Sequence, residues 1–135
     1  MGQSVVVEQV KQTTGVAAVG TGKRPLNPQV ATLMPDHEIG VREWNELSRQ
    51  FDRLERAGVV RYVLDFTDVS HLDYRTVRPL VERAERAREL CGDLKLAGLS
   101  PYLAAIFRVA GAHTSFECFK DPIEAGAAFD RSWNR

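Results

Sequence analysis

The stretch that decides the fold runs Val59-Val60-Arg61-Tyr62-Val63-Leu64-Asp65-Phe66-Thr67-Asp68-Val69-Ser70-His71-Leu72-Asp73-Tyr74-Arg75-Thr76-Val77-Arg78-Pro79-Leu80. Val59 to Phe66 is almost continuously apolar or β-branched, as in a central strand covered on both faces. An acidic turn follows at Asp73. Pro79 then constrains the next helix, because proline is tolerated in a first turn but breaks a helix interior. The helix is therefore expected from about Val77, with Thr76 as N-cap. Leu80, Val81, Ala84, Ala87 and Leu90 form its apolar stripe, and Gly92 is expected to close it.

Downstream, Leu94 to Ala97 reads as a short strand. Ser100-Pro101 is a cap followed by proline at the first helical position, and the helix it opens carries Leu103, Ile106, Phe107 and Ala110 before Gly111. Phe116 to Phe119 is a further strand. Asp121-Pro122-Ile123-Glu124 repeats the cap-and-proline signal for a last helix to about Phe129, with 131–135 as a tail. Upstream, Trp44, Leu47, Phe51 and Leu54 mark an amphipathic helix over Val41 to Ala57, ended by Gly58 in a left-handed cap. Ser4 to Val10 and Val16 to Val19 read as strands joined across Lys11 to Thr14. Thr21 to Gly40, with Pro25, Pro28 and Pro35, reads as a long loop containing a short extended piece at Val30 to Met34. Helices alternating with strands in this way imply a mainly parallel sheet flanked by helices.

At 135 residues the chain is the size of one domain with its own core. Its 18 basic and 18 acidic side chains cancel, which disfavours a nucleic-acid partner. No apolar run reaches the roughly 20 residues of a membrane helix, and no signal peptide is expected; a cytoplasmic location follows as the expectation. Cys91 and Cys118 have neither metal nor redox spacing and read as packing residues. His37, His71 and His113 are scattered without a metal-ligand pattern. Gly20-Thr21-Gly22-Lys23 lacks the remainder of a phosphate loop, since Arg24-Pro25 follows and no helix opens there. No nucleophile elbow is present. No cofactor and no enzymatic activity are expected. His71 beside Asp73 lies at the carboxyl end of a strand, where open α/β sheets hold ligands.

Several pieces, taken in order, resemble the STAS domain of anti-sigma factor antagonists. They are Val63-Leu64-Asp65-Phe66 with Val69, Leu72-Asp73, Leu94-Lys95-Leu96-Ala97-Gly98-Leu99-Ser100-Pro101, Phe107 through Gly111, and Glu124-Ala125. The resemblance implies an α/β fold with a mostly parallel mixed sheet of about five strands and about four helices. It also implies a cytoplasmic partner, an anti-sigma factor that is itself a serine kinase. In that family a Ser or Thr after the aspartate is phosphorylated, and is followed by a small residue and Gly. Here the positions hold Tyr74-Arg75-Thr76.

Three readings of this turn stand open. The switch is lost and binding is constitutive; or a displaced hydroxyl, Thr76 or Ser70, takes the phosphate in place of Tyr74; or Tyr74 and Arg75 form a different contact surface. The expected partner-binding residues are Asp73, Tyr74, Arg75, Thr76 and Arg78, with Tyr and Arg as the favoured anchors. Thr76 also reads as a simple cap, and Asp73 as a turn residue accepting backbone N–H groups. Two other functions remain: a structural subunit of a larger STAS-containing assembly or homo-oligomer, and a small-ligand sensor in the crevice near His71.

Overall fold

A computed structural model describes residues 7–11 and 29–133. Its strands are β1 (Val7–Lys11), β2 (Val30–Leu33), β3 (His37–Ile39), β4 (Arg61–Asp65), β5 (Val69–Leu72), β6 (Asp93–Ala97) and β7 (Cys118–Phe119). Its helices are α1 (Val41–Arg56), α2 (Val77–Glu89), α3 (Pro101–Val109) and α4 (Pro122–Trp133), and a 3-10 turn over Tyr74–Thr76 leads into α2. Five strands form one sheet in the order β1-β2-β4-β6-β7, and β3 pairs with β5 in a separate two-stranded ladder. The β1–β2 pair is antiparallel; β2–β4, β4–β6, β6–β7 and β3–β5 are parallel. The mixed, mostly parallel architecture with four helices agrees with the expectation.

All five residues of β4 are buried, because helices cover both faces of the sheet around it. Tyr62, Leu64 and Phe66 enter the larger core with Leu47, Phe51, Leu80, Ala84, Leu94, Leu96, Leu103 and Phe107. Val63 lies on the other side, with Val30, Ala97, Ala125 and Phe129. Two buried cations share that side. Arg61 donates to the Phe129 carbonyl at 3.1 Å, and Lys95 contacts Asp93 at 3.0 Å and Glu117. Lys95 Nζ also lies 4.7 Å from the centroid of the Phe129 ring. Buried charge is tolerated here because each cation has an acceptor or a ring face.

Several expectations need correction. Within the Thr21 to Gly40 loop, the extended piece expected at Val30 to Met34 is β2, and a second strand, β3, was not expected. Pro35 follows β2 without entering it, and a residue preceding proline is biased toward extended chain. The β2 residues pair in register from Val30↔Arg61 to Leu33↔Leu64. β3 was hidden because it is three residues long, begins with His37 at φ 59° and carries a register shift. β5 lies in what reads as a connection, yet Val69 and Leu72 are buried on it. Residues 131–133, read as tail, continue α4. The proposed strand Val16 to Val19 and the turn before it lie outside the described residues.

The end of α2 departs from expectation in an instructive way. The left-handed residue is Cys91, at φ 69°, not Gly92. Gly92 is required for closeness: a Cβ there would sit 1.8 Å from the Val60 carbonyl oxygen. The N-cap and proline signals of the last two helices hold. Ser100 Oγ accepts from Leu103 N at 3.1 Å, and Asp121 Oδ1 accepts from Glu124 N at 2.8 Å.

These contacts predict opposite outcomes for two glycines. Gly92→Ala should destabilise by about 1–3 kcal/mol or more, since backbone must move to admit the methyl. Gly126→Ala, inside α4 with nothing near the new atom, should stabilise by up to about 1 kcal/mol. Urea unfolding of both variants checks the pair, and equal effects would contradict the packing described.

Candidate functional site: the Asp73 turn and its two grooves

The site is built where β5 leaves its ladder and α2 begins. Asp73 N–H donates to the Ile39 carbonyl at 2.8 Å, tying the turn to β3. The Asp73 carbonyl accepts from Thr76 N at 2.9 Å and from Thr76 Oγ1 at 2.7 Å. Its carboxylate accepts from Arg75 three times: backbone N at 2.8 Å and Nε at 3.1 Å on Oδ1, and Nη2 at 2.8 Å on Oδ2. Asp73 therefore caps the 3-10 turn, while Thr76 holds the expected N-cap position of α2 but makes no side-chain cap bond. The Arg75 guanidinium, then the Arg75 backbone N–H, pull the Asp73 carboxyl from its ordinary 3.8 down to about 2. The same pairing raises the Arg75 pKa.

The predicted site residues divide by exposure. Tyr74 is 59% exposed at the crest of the turn, whereas Thr76 is 3% exposed with its hydroxyl turned to Asp73. Ser70 is exposed on β5 and donates to the His37 carbonyl at 3.1 Å. Arg78 is exposed in the first turn of α2.

Two grooves flank Tyr74 and Arg75. One, of about 610 Å³, runs between β5 and α3 past His71, Tyr102, Ile106 and Val109. The other, of about 380 Å³, runs between α2 and the end of α3 past Arg78, Val81, Glu85 and Ala110. Across the first groove, His71 Nδ1 and the Tyr102 hydroxyl lie 2.6 Å apart, with their rings stacked at 5.8 Å.

Sequence reading missed the α3 wall, although a signal was present. Tyr102, Ala105, Ile106 and Val109 recur at i, i+3, i+4 and i+7, forming a second apolar stripe beside the core stripe of Leu103 and Phe107. A nine-residue helix cannot bury both against one core. Tyr102 and Val109 remain 53% and 79% exposed, and the groove is the consequence. Among the described residues, no group of three or more His, Cys, Asp or Glu side chains could hold a metal, and no helix is long and apolar enough to cross a membrane.

An antiparallel lead strand, parallel β2-β4-β6-β7 order and a capped turn at the start of α2 together define a mixed α/β module. The STAS domain family model matches residues 24–125, and the chain belongs to that family. Solved structures share the fold. A Thermotoga maritima protein whose assignment as an anti-sigma factor antagonist is itself provisional superposes with a TM-score of 0.69 at 17% identity, covering 76% of this chain and 88% of that one. The anti-sigma factor antagonist SpoIIAA in its unphosphorylated form gives 0.65 at 15% identity, over 94% and 96%. A sulfate transporter family protein from Wolinella succinogenes gives 0.67 at 17% identity, over 78% and 88%. A search of curated proteins found no match.

The Asp73–Arg75 contact sets an acid limit. The folded carboxyl has the lower pKa, so its contribution to stability is complete above about pH 4, where an unfolded aspartate is ionised, and fades as pH falls toward 2. A carboxyl-carbon NMR titration should place the Asp73 midpoint near 2 and, in Arg75→Ala, shift it up toward 3.8. An unmoved midpoint would mean that the guanidinium does not hold this carboxylate in solution.

Proposed function

We propose that this STAS domain is a non-enzymatic regulatory protein-interaction module whose contact surface is the ridge of Asp73, Tyr74, Arg75 and Arg78. The partner is an anti-sigma factor kinase of the cytoplasm, and capture of that partner does not depend on phosphorylation of the turn. One observation carries this reading. The position after the capping aspartate, where the family places its phosphoacceptor, holds an exposed tyrosine on a turn locked by Arg75. A serine kinase of this kind is not expected to accept tyrosine. Thr76 has its hydroxyl buried against Asp73, so it does not offer a ready substitute. Ser70, although exposed, lies on β5 away from the first turn of α2. An exposed Tyr between exposed Arg side chains has the composition of an interface anchor.

A second reading has its own support. The likeness to a sulfate transporter family protein favours a STAS domain that serves as a fixed part of a larger assembly. Solution mass separates the two, since a monomer that captures a kinase fits signalling and a stable oligomer fits scaffolding.

Recovery of the domain with its partners from source cells, followed by intact-mass analysis, tests the proposal. The expected result is a kinase bound to unmodified domain, with affinity falling about thirtyfold or more in Tyr74→Ala, as for an anchor of about 2 kcal/mol. Phosphate mapped to Ser70 or Thr76 would show a displaced live switch. Unchanged affinity in Tyr74→Ala would remove this face from the interface.

A further inference from the structure

Resting on the reading that this face binds a partner, we infer that Tyr102 is a positioning residue that fixes His71 as its Nε2–H tautomer, so that His71 and Arg75 present N–H donors across the β5–α3 groove to a carboxylate carried beside an apolar group. The inference begins with the 2.6 Å contact. A neutral imidazole has one donor and one acceptor nitrogen, and the hydrogen bond made by one decides the state of the other. A phenol is the stronger acid of this pair, so the Tyr102 O–H donates and Nδ1 accepts. The proton then resides on Nε2, which makes no hydrogen bond among the described residues.

The remaining polar groups of the groove fix the chemistry of its occupant. Asp73, the one carboxylate lining this groove, already accepts three hydrogen bonds from Arg75 and is paired with its charge. Arg75 spends Nε and Nη2 on Asp73, yet its side chain is 73% exposed and retains further guanidinium N–H groups. The walls between these donors are Tyr74, Tyr102, Ala105, Ile106 and Val109. Net donors over an apolar floor complement an anion with an adjoining apolar body, such as an acidic residue beside an aromatic or aliphatic one in a protein segment. A cationic segment would find one carboxylate in this groove, Asp73, and that one is already paired with Arg75.

Two measurements on the free domain test this. In long-range ¹⁵N NMR at neutral pH, His71 should be protonated at Nε2, with an Nδ1 resonance showing an accepted hydrogen bond that relaxes toward free imidazole in Tyr102→Phe. Protonation at Nδ1, or no response to Tyr102→Phe, overturns the positioning role. Phenylacetate, phenylacetamide and benzylamine then serve as probes of the groove. Phenylacetate should shift the His71 and Arg75 side-chain N–H resonances at concentrations about tenfold lower than the neutral amide, in line with a hydrogen bond to a charged group. Benzylamine should not compete. His71→Gln should keep most of the phenylacetate response and His71→Leu should lose it. An equal response to benzylamine, or none to phenylacetate, overturns the anion preference. Neither failure touches partner capture or its loss in Tyr74→Ala, so the two proposals fail separately.

Discussion

The site depends on Asp73, whose every polar atom is engaged. Its N–H reaches back to β3, its carbonyl receives both hydrogens offered by Thr76, and its carboxylate receives three from Arg75. A turn held at so many points leaves the residue between Asp73 and Arg75 nowhere to fold away. Tyr74 is exposed because its neighbours are committed. The same engagement explains why Thr76 is buried, since its hydroxyl completes the Asp73 carbonyl instead of capping the helix. The ridge is thus rigid by hydrogen bonding and not by core packing.

What places that turn is the central strand. β4 is buried over its whole length and pairs in parallel with β2 and β6, so the loops at its carboxyl end are set by the sheet. Asp65 closes the strand by accepting from Thr67 N at 3.0 Å and Thr67 Oγ1 at 2.6 Å. Gly98 approaches this knot so closely that a Cβ would lie 2.8 Å from the Asp65 carboxylate and 2.5 Å from Thr67 Oγ1. The exits of β4 and β6 are therefore coupled sterically, and through them β5 and α3.

Much of the fold was legible from local chemistry. Trp44, Leu47, Phe51 and Leu54 have helical spacing, Ser100-Pro101 and Asp121-Pro122 are cap and proline, and each does what its pattern implies. Two of the short strands were not legible. β3 and β5 have three and four residues and mixed polarity, and their stability comes from each other, at a sequence distance no window of periodicity spans. β2 was legible only as a short extended piece within a proline-rich stretch. Gly92 shows the same limit: the residue type was noticed as a helix stop, but its reason is the Val60 carbonyl more than thirty residues away.

The sequence by itself determined the alternation of elements, the family likeness and the departure at Tyr74-Arg75-Thr76, because these are carried by residue type and spacing along the chain. Tertiary structure alone decided that Arg75 closes on Asp73, that Thr76 is buried while Tyr74 is exposed, and that Tyr102 faces His71 across a groove. Those outcomes depend on which side of a turn faces its neighbours and on two helices meeting one strand end. Pattern reports the period of an element; only packing decides what each face of it meets.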